Sequence, residues 1–160
     1  MTKANEYQGE TKDGVPHGRG TMLFANGSRY VGDWQDGEFY GQGTLVTRDG
    51  TFMAGLWENG ELTSGSLLMQ TGSKYVGKFK EMKFHGKGVL TLSEESHLIG
   101  NFSEGKLNGS GVMNTENGMM EGTFKDGDLE GSGTIFIKEG NIISGRWDQE
   151  GSLKDIKKIV

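Results

Sequence analysis

The side chains able to do acid–base or metal chemistry are few in this sequence. Histidine occurs at His17, His85 and His97. His17 and His85 occupy the same place in a repeating pattern, three repeats apart, and in an array of strands that spacing separates them by about 29 Å. They cannot share a metal ion, whose ligands must converge on one point. His97 closes the segment SEESH, where Glu94 and Glu95 stand beside it; carboxylates and an imidazole so placed suit a divalent ion in principle, but a polar run of this kind reads as a solvated loop. Acids gather in three further groups: Asp33, Asp36 and Glu38; Glu58 and Glu61; and Asp126, Asp128 and Glu130. Paired carboxylates act as acid and base only where a cleft drives their pKa values apart. Gly18-Arg19-Gly20 and the similar glycine pairs lack the Lys-Ser/Thr and the following helix of a phosphate loop. No serine shares a repeat with both a histidine and an acid in a catalytic pattern. The expectation is a non-enzymatic chain with no catalytic, cofactor-binding or metal-ligating residues.

Stepping from side chains to the elements that carry them, the composition limits the architecture. Of 160 residues, 29 are glycine, one is proline (Pro16), none is cysteine, and 32% are hydrophobic. Glycine loses the most backbone entropy on folding, so this many must each serve a position. The absence of cysteine excludes a disulfide framework and a thiolate metal site, and fits a reducing compartment. No apolar run approaches the roughly 20 residues that span a bilayer, and MTKANEYQGE has no apolar core of a signal peptide. The net charge of −5 disfavours nucleic acid or an anionic membrane as main partner. A soluble, cytoplasmic protein is expected.

The glycines fall into columns. Taking Tyr7, Tyr30, Met53, Tyr75, Leu98, Met120 and Ile143 as starts, the spacings are 23, 23, 22, 23, 22 and 23. Two residues after each start stands a glycine, Gly9 through Gly145, without exception; two further on stand Thr11, Trp34, Trp57, Phe79, Phe102, Phe124 and Trp147. Strand side chains alternate, so start, glycine and aromatic share one face. A turn column follows at Gly14, Gly37, Gly60, Gly105 and Gly127, with Met82 in the fourth copy. Asp36-Gly37, Asn59-Gly60 and Asp126-Gly127 are strong hairpin signals, because glycine there supplies positive φ. The second strand opens with Gly18/Gly20, Gly41/Gly43, Gly86/Gly88, Gly109/Gly111 and Gly131/Gly133, replaced in copy three by Ser64 and Ser66. Met22, Leu45, Leu68, Leu90, Met113 and Ile135 follow on the aromatic face. The rings are expected to lie over bare glycine backbone of neighbouring strands. A last glycine, Gly27, Gly50, Gly118 or Gly140, turns the chain into the next copy. Gly65, Gly72 and Gly151 remain outside these columns.

A period this regular dictates the fold. The pattern Y-x-G-x-W-x-x-G-x-x-x-G-x-G, best kept in copies two and six, resembles the MORN repeat over residues 7–149. The resemblance implies an all-β fold: an elongated, single-layer antiparallel sheet of repeated β-hairpins, about six and a half of them. Thirteen strands would give a sheet roughly 60 Å long. Residues 1–6 form an N-terminal extension, and residues 150–160 a C-terminal cap or tail. There Leu153, Ile156 and Ile159 or Val160 stand at helical spacing, so a short amphipathic helix capping the open edge is expected, with a basic docking tail as the alternative.

Two faces then compete as binding surfaces. The aromatic face presents Tyr30, Trp34, Trp57, Tyr75, Phe79, Phe102 and Phe124 in a row, rings of the kind that anchor interfaces. The opposite face is expected to carry Val31, Val46, Leu56, Leu67, Met69, Val76, Val89, Ile99 and Val112, an apolar strip unusual for a sheet face in water. The expected function is a scaffold or adaptor that binds a protein segment, a helix or a second copy along one face. The resemblance implies cytoskeletal, ciliary or membrane-junction assemblies, or a non-catalytic accessory to an enzyme. The alternative is a membrane-surface tether for acidic phospholipids, favoured by Lys78, Lys80, Lys83 and Lys87 and opposed by the acidic turns.

Overall fold

A computed structural model of the chain describes residues 4–159. It contains fourteen strands and, among the described residues, no helix. The chain divides into two compact units, the first ending at Met82 and the second beginning at Lys83. The first holds β1 (Glu6–Lys12), β2 (Val15–Leu23), β3 (Arg29–Gln35), β4 (Glu38–Val46), β5 (Phe52–Glu58), β6 (Glu61–Leu68) and β7 (Lys74–Lys80). The second holds β8 (Lys83–Thr91), β9 (His97–Ser103), β10 (Lys106–Thr115), β11 (Gly118–Lys125), β12 (Asp128–Ile137), β13 (Ile142–Trp147) and β14 (Leu153–Ile159). Within each unit the strands lie in chain order and every neighbouring pair is antiparallel. Each unit is thus the single layer of hairpins that the period implies.

The turns follow from their residues. Asp13-Gly14, Asp36-Gly37, Asn59-Gly60, Glu104-Gly105 and Asp126-Gly127 all have positive φ at both positions, the geometry of the type I′ turn whose twist matches the flanking strands. Glu81-Met82 adopts the same geometry (φ 51° and 58°) with no glycine to relieve it. The turns also register on one another: the amide of Gly37 donates to the Pro16 carbonyl and that of Gly60 to Phe39, as Gly127 does to Leu107.

Across each unit runs a ladder of facing glycines. Gly9, Gly20, Gly32, Gly43, Gly55, Gly65 and Gly77 are consecutive Cα partners in the first unit. Gly88, Gly100, Gly111, Gly122, Gly133 and Gly145 are in the second. This bare row is where the large side chains settle. A Cβ on Gly43 would lie 2.0 Å from the Tyr30 hydroxyl, and one on Gly20 2.2 Å from that of Tyr7. Where the start is aliphatic, a leucine nine or ten residues later takes over: Leu107 packs on Gly111, Leu129 on Gly133 and Leu153 on Gly145.

Two expectations are corrected. The C-terminal segment is a strand, β14, the fourteenth where thirteen were expected, and not a capping helix: Leu153 pairs with Trp147 and Lys157 with Ser144. Seven residues are too few for a stable isolated helix, whereas β13 offers a row of unpaired backbone groups. Copy three is one residue short between its turn and its glycine ladder. Gly65 therefore takes the second-glycine position, opposite Gly55 and Gly77, and Leu67 pairs with Met53 and Tyr75. Leu67 accordingly falls on the aromatic face, and Leu68 moves to the opposite one. Gly72 and Gly151, also outside the sequence columns, sit in turns with φ 85° and 74°.

Candidate docking faces

The aromatic face is the core. Tyr30 and Tyr75 are 0% exposed, Phe102 and Phe124 2%, and Trp34, Trp57 and Phe79 are buried as well. Each ring sits over the preceding hairpin: Trp34 is the Cα partner of Gly18, Trp57 of Gly41, Phe102 of Gly86 and Phe124 of Gly109. The indole N–H groups are spent there too. That of Trp34 donates to the Gly20 carbonyl at 3.2 Å and that of Trp57 to Gly43 at 3.0 Å. The tyrosine hydroxyls donate three residues along their own strand, Tyr30 to the Asp33 carbonyl and Tyr75 to Lys78, both at 3.1 Å. Burial, and next the nearby Asp33 carboxylate, push the Tyr30 phenol far above its ordinary pKa. Phe39 stacks on Tyr30 with centroids 3.8 Å apart and planes at 5°. A partner approaching this face meets rings whose area is already covered.

Sequence reasoning missed the column that completes this core. Phe39, Leu62, Leu107 and Leu129 stand nine residues after their starts, and Leu62 and Leu107 are among the most buried side chains. The signal was present: an apolar residue recurs just before the glycine pair, aromatic after Tyr30 and leucine after Met53, Leu98 and Met120.

The opposite face is open. Val31, Leu56, Val76, Val89 and Ile99 are each between 38% and 46% exposed. Val112, between Ile99 and Glu121, is half-buried. Leu67 and Met69 do not belong with them. Leu67 has moved to the aromatic face for the reason given above. Met69 begins the connecting turn, its amide bonded to the Ser73 carbonyl as that of Phe24 is to Ser28. In that column Phe24 packs on Phe39 of the aromatic face. The structure adds Leu23, Phe52 and Leu68 in their place: with Val46, expected on this face, they form a second row on the open face of the first unit, each 37–43% exposed. Strand pairing sets them in line, Leu23 beside Arg29, Arg29 beside Val46, Val46 beside Phe52, Phe52 beside Leu68 and Leu68 beside Lys74.

The titratable residues hold hairpins together. Nδ1 of His17 accepts the Asp36 amide, with the Asp36 carboxylate 3.6 Å away. Asn108 reaches Asp126 from the equivalent place. Asp33 accepts the Gln42 amide at 3.0 Å, as Glu10 accepts that of Arg19, and so each satisfies the bulge opposite. His97 closes its own loop on the Glu94 carbonyl at 2.9 Å. Asp148 accepts the amides of Ser152 and Glu150 and pairs with Lys154 at 3.2 Å. The Ser152 bond above all holds its carboxyl below the ordinary range. Among the described residues no three His, Asp or Glu side chains converge as a metal site would require. Nor is any helix there long and apolar enough to cross a membrane. In the second unit Trp147 and Leu129 floor a hollow of about 630 Å³ rimmed by Asp126, Asp128, Glu130 and Glu150.

A single layer of hairpins held by a glycine ladder and interlocked rings defines a class of repeat protein that builds surfaces. Five segments match the MORN repeat: residues 7–29, 30–52, 75–94, 99–120 and 121–141. The chain belongs to the MORN-repeat family, whose repeats are associated with protein or membrane binding. The matched segments leave out all of copy three, where the register shifts, and the last hairpin, which lacks the glycine pair. No curated protein matches the chain.

Proposed function

We propose that the chain is a non-enzymatic scaffold that docks a protein segment on its open sheet face. The observation that carries this reading is the contiguous exposed apolar surface of the first unit, in which Leu23, Val31, Val46, Phe52, Leu56, Leu68 and Val76 all stand more than a third exposed. Contiguous apolar patches of this kind on a soluble surface mark interaction sites. The aromatic row offers less, because its rings are consumed by the core. Work in a cytoplasmic assembly, cytoskeletal or ciliary, suits this role, as does a non-catalytic subunit of an enzyme. A second copy of the chain is one occupant of the face, and light scattering over a concentration range identifies it. The reading predicts that Leu68→Asp abolishes whatever association the wild-type protein shows, while far-ultraviolet circular dichroism and thermal unfolding stay unchanged. Association that survives Leu68→Asp intact refutes it.

The membrane-tether reading is favoured by one observation, the cations Lys74, Lys78 and Lys80 on β7. Against it, acids such as Asp36, Glu38, Glu58 and Glu61 line the hairpin turns of the same unit and would be carried against anionic headgroups.

A further inference from the structure

We infer that the occupant of the open face in the first unit is an acidic amphipathic helix lying across the strands; this rests on the docking reading above and names its partner's chemistry. Two rows carry the argument. The outer row runs Leu23, Arg29, Val46, Phe52, Leu68, Lys74. The inner row runs Thr21, Val31, Thr44, Ala54, Ser66, Val76. Together they span β2 to β7, five strand spacings or about 24 Å. Along β2, β4 and β6 a polar residue, Thr21, Thr44 or Ser66, interrupts the apolar run on this face, and along β5 it is limited to Phe52, Ala54 and Leu56. Across the strands the apolar positions reach further, from Leu23 through Val31, Val46, Phe52 and Leu68 to Val76, a span that an added strand cannot follow and a helix of about 16 residues can.

From β2 to β7 the charges in these rows are of one sign; an acid, Glu6 of β1, stands beside Leu23 just outside them. Arg29 and Lys74 are exposed, they are the two charged residues of the twelve, and among the described residues neither has an ion-pair partner. The next row holds Arg19 and Asp33, already paired at 3.5 Å, and Lys78. In a chain of net charge −5 these two rows are cationic and apolar from β3 to β7, with Glu6 beyond their β2 end. Arg29 and Lys74 lie four strand spacings apart, about 19 Å, or about 13 residues of helix. The complementary ligand has an apolar stripe with carboxylates near both ends. An anionic bilayer offers the same sign of charge, but a flat surface reaching these rows would also meet the carboxylates of the turn row.

The test is a display selection of randomised 18-residue helical peptides on the intact protein, counter-screened on Phe52→Asp and on the double variant Arg29→Glu/Lys74→Glu. Expected are enriched peptides with glutamate or aspartate at both ends of an apolar stripe, which lose at least tenfold in affinity on each variant. Peptides that lose affinity on Phe52→Asp but carry no acidic bias and ignore the charge reversal overturn the acidic helix and leave the docking face standing. Peptides indifferent to Phe52→Asp, or a selection yielding no binder, overturn both. A parallel sedimentation with vesicles containing 30% phosphatidylserine decides the remaining class: binding to wild-type protein that is lost in the double variant overturns the helix in favour of a membrane.

Discussion

Gly43→Ala should be among the most damaging single-atom additions available in this chain. The new Cβ would lie 2.0 Å from the Tyr30 hydroxyl, 2.4 Å from Cζ and 2.7 Å from a ring carbon. Ordinary contact needs about 3.5–4.0 Å, so the ring must retreat by more than an ångström. It has no room to do so: Tyr30 is 0% exposed, and Phe39 is stacked on it at 3.8 Å. Overpacking of this kind costs about 1–3 kcal/mol, and expulsion of the ring would forfeit about 2–3 kcal/mol of burial and about 1 kcal/mol of stacking. We expect about 3 kcal/mol. The second half of the prediction separates the ring from the backbone. Tyr30→Leu alone should cost about 2 kcal/mol through lost area and stacking, since Leu98 fills the same start position in copy five. The double variant should then be no worse than Tyr30→Leu, a coupling of about 3 kcal/mol in the cycle. Urea unfolding followed by the fluorescence of Trp34 and Trp57, both packed edge-on to Tyr30, reads the local transition. A cost below about 1 kcal/mol for Gly43→Ala, or additive costs in the double variant, would refute the claim that rings occupy the space the glycine ladder leaves.

Other expectations follow from single contacts. Met82→Gly should stabilise the β7–β8 turn by about 1 kcal/mol, because Met82 holds φ 58° without glycine's freedom; a lower urea midpoint for the variant would show that the side chain contributes something the turn geometry does not reveal. Leu68→Asp should leave unfolding unchanged within about 0.5 kcal/mol, whereas Leu67→Asp, on the aromatic face, should lose several times that, and equal costs would contradict the register shift of copy three. The depressed Asp148 carboxyl stabilises the last hairpin above its unfolded pKa of about 3.9, and that contribution disappears as pH falls through the lower folded value. Trp147 emission should therefore hold steady to about pH 4 and shift only below it, and Asp148→Asn should remove the step; an identical acid step in that variant would assign it to another group.

Much of this fold was legible because glycine cannot be spared. The columns from Gly9 to Gly145 gave the period, the hairpin and the face on which the rings lie, and the structure keeps each of them. What escaped was whatever depends on counting through an irregular hairpin. Copy three drops one residue, and a fixed offset then places Leu67 on the wrong face; Gly65, left outside every column, was the clue that the ladder had shifted. The C-terminal segment misled for a related reason. Leu153 and Ile156 fit a helical spacing, but the hydrogen-bonding row of β13 decides the matter, and tertiary pairing overrides a seven-residue pattern. The open face was half legible. Alternation placed Val31, Leu56, Val76, Val89 and Ile99 correctly, whereas Phe52 and Leu23 lie just outside the repeat core and could be assigned a face only from strand pairing.

The claim that the open face is a docking surface is tested most directly by carbene footprinting of the protein, purified at low concentration and again in extract of its native cells. Labelling of Val31, Phe52, Leu56, Leu68 and Val76, all well exposed in the isolated chain, should fall several-fold in the extract, while Val15 and Tyr40 nearer the hairpin turns keep their labelling. Undiminished labelling of these five side chains in the extract would contradict the account.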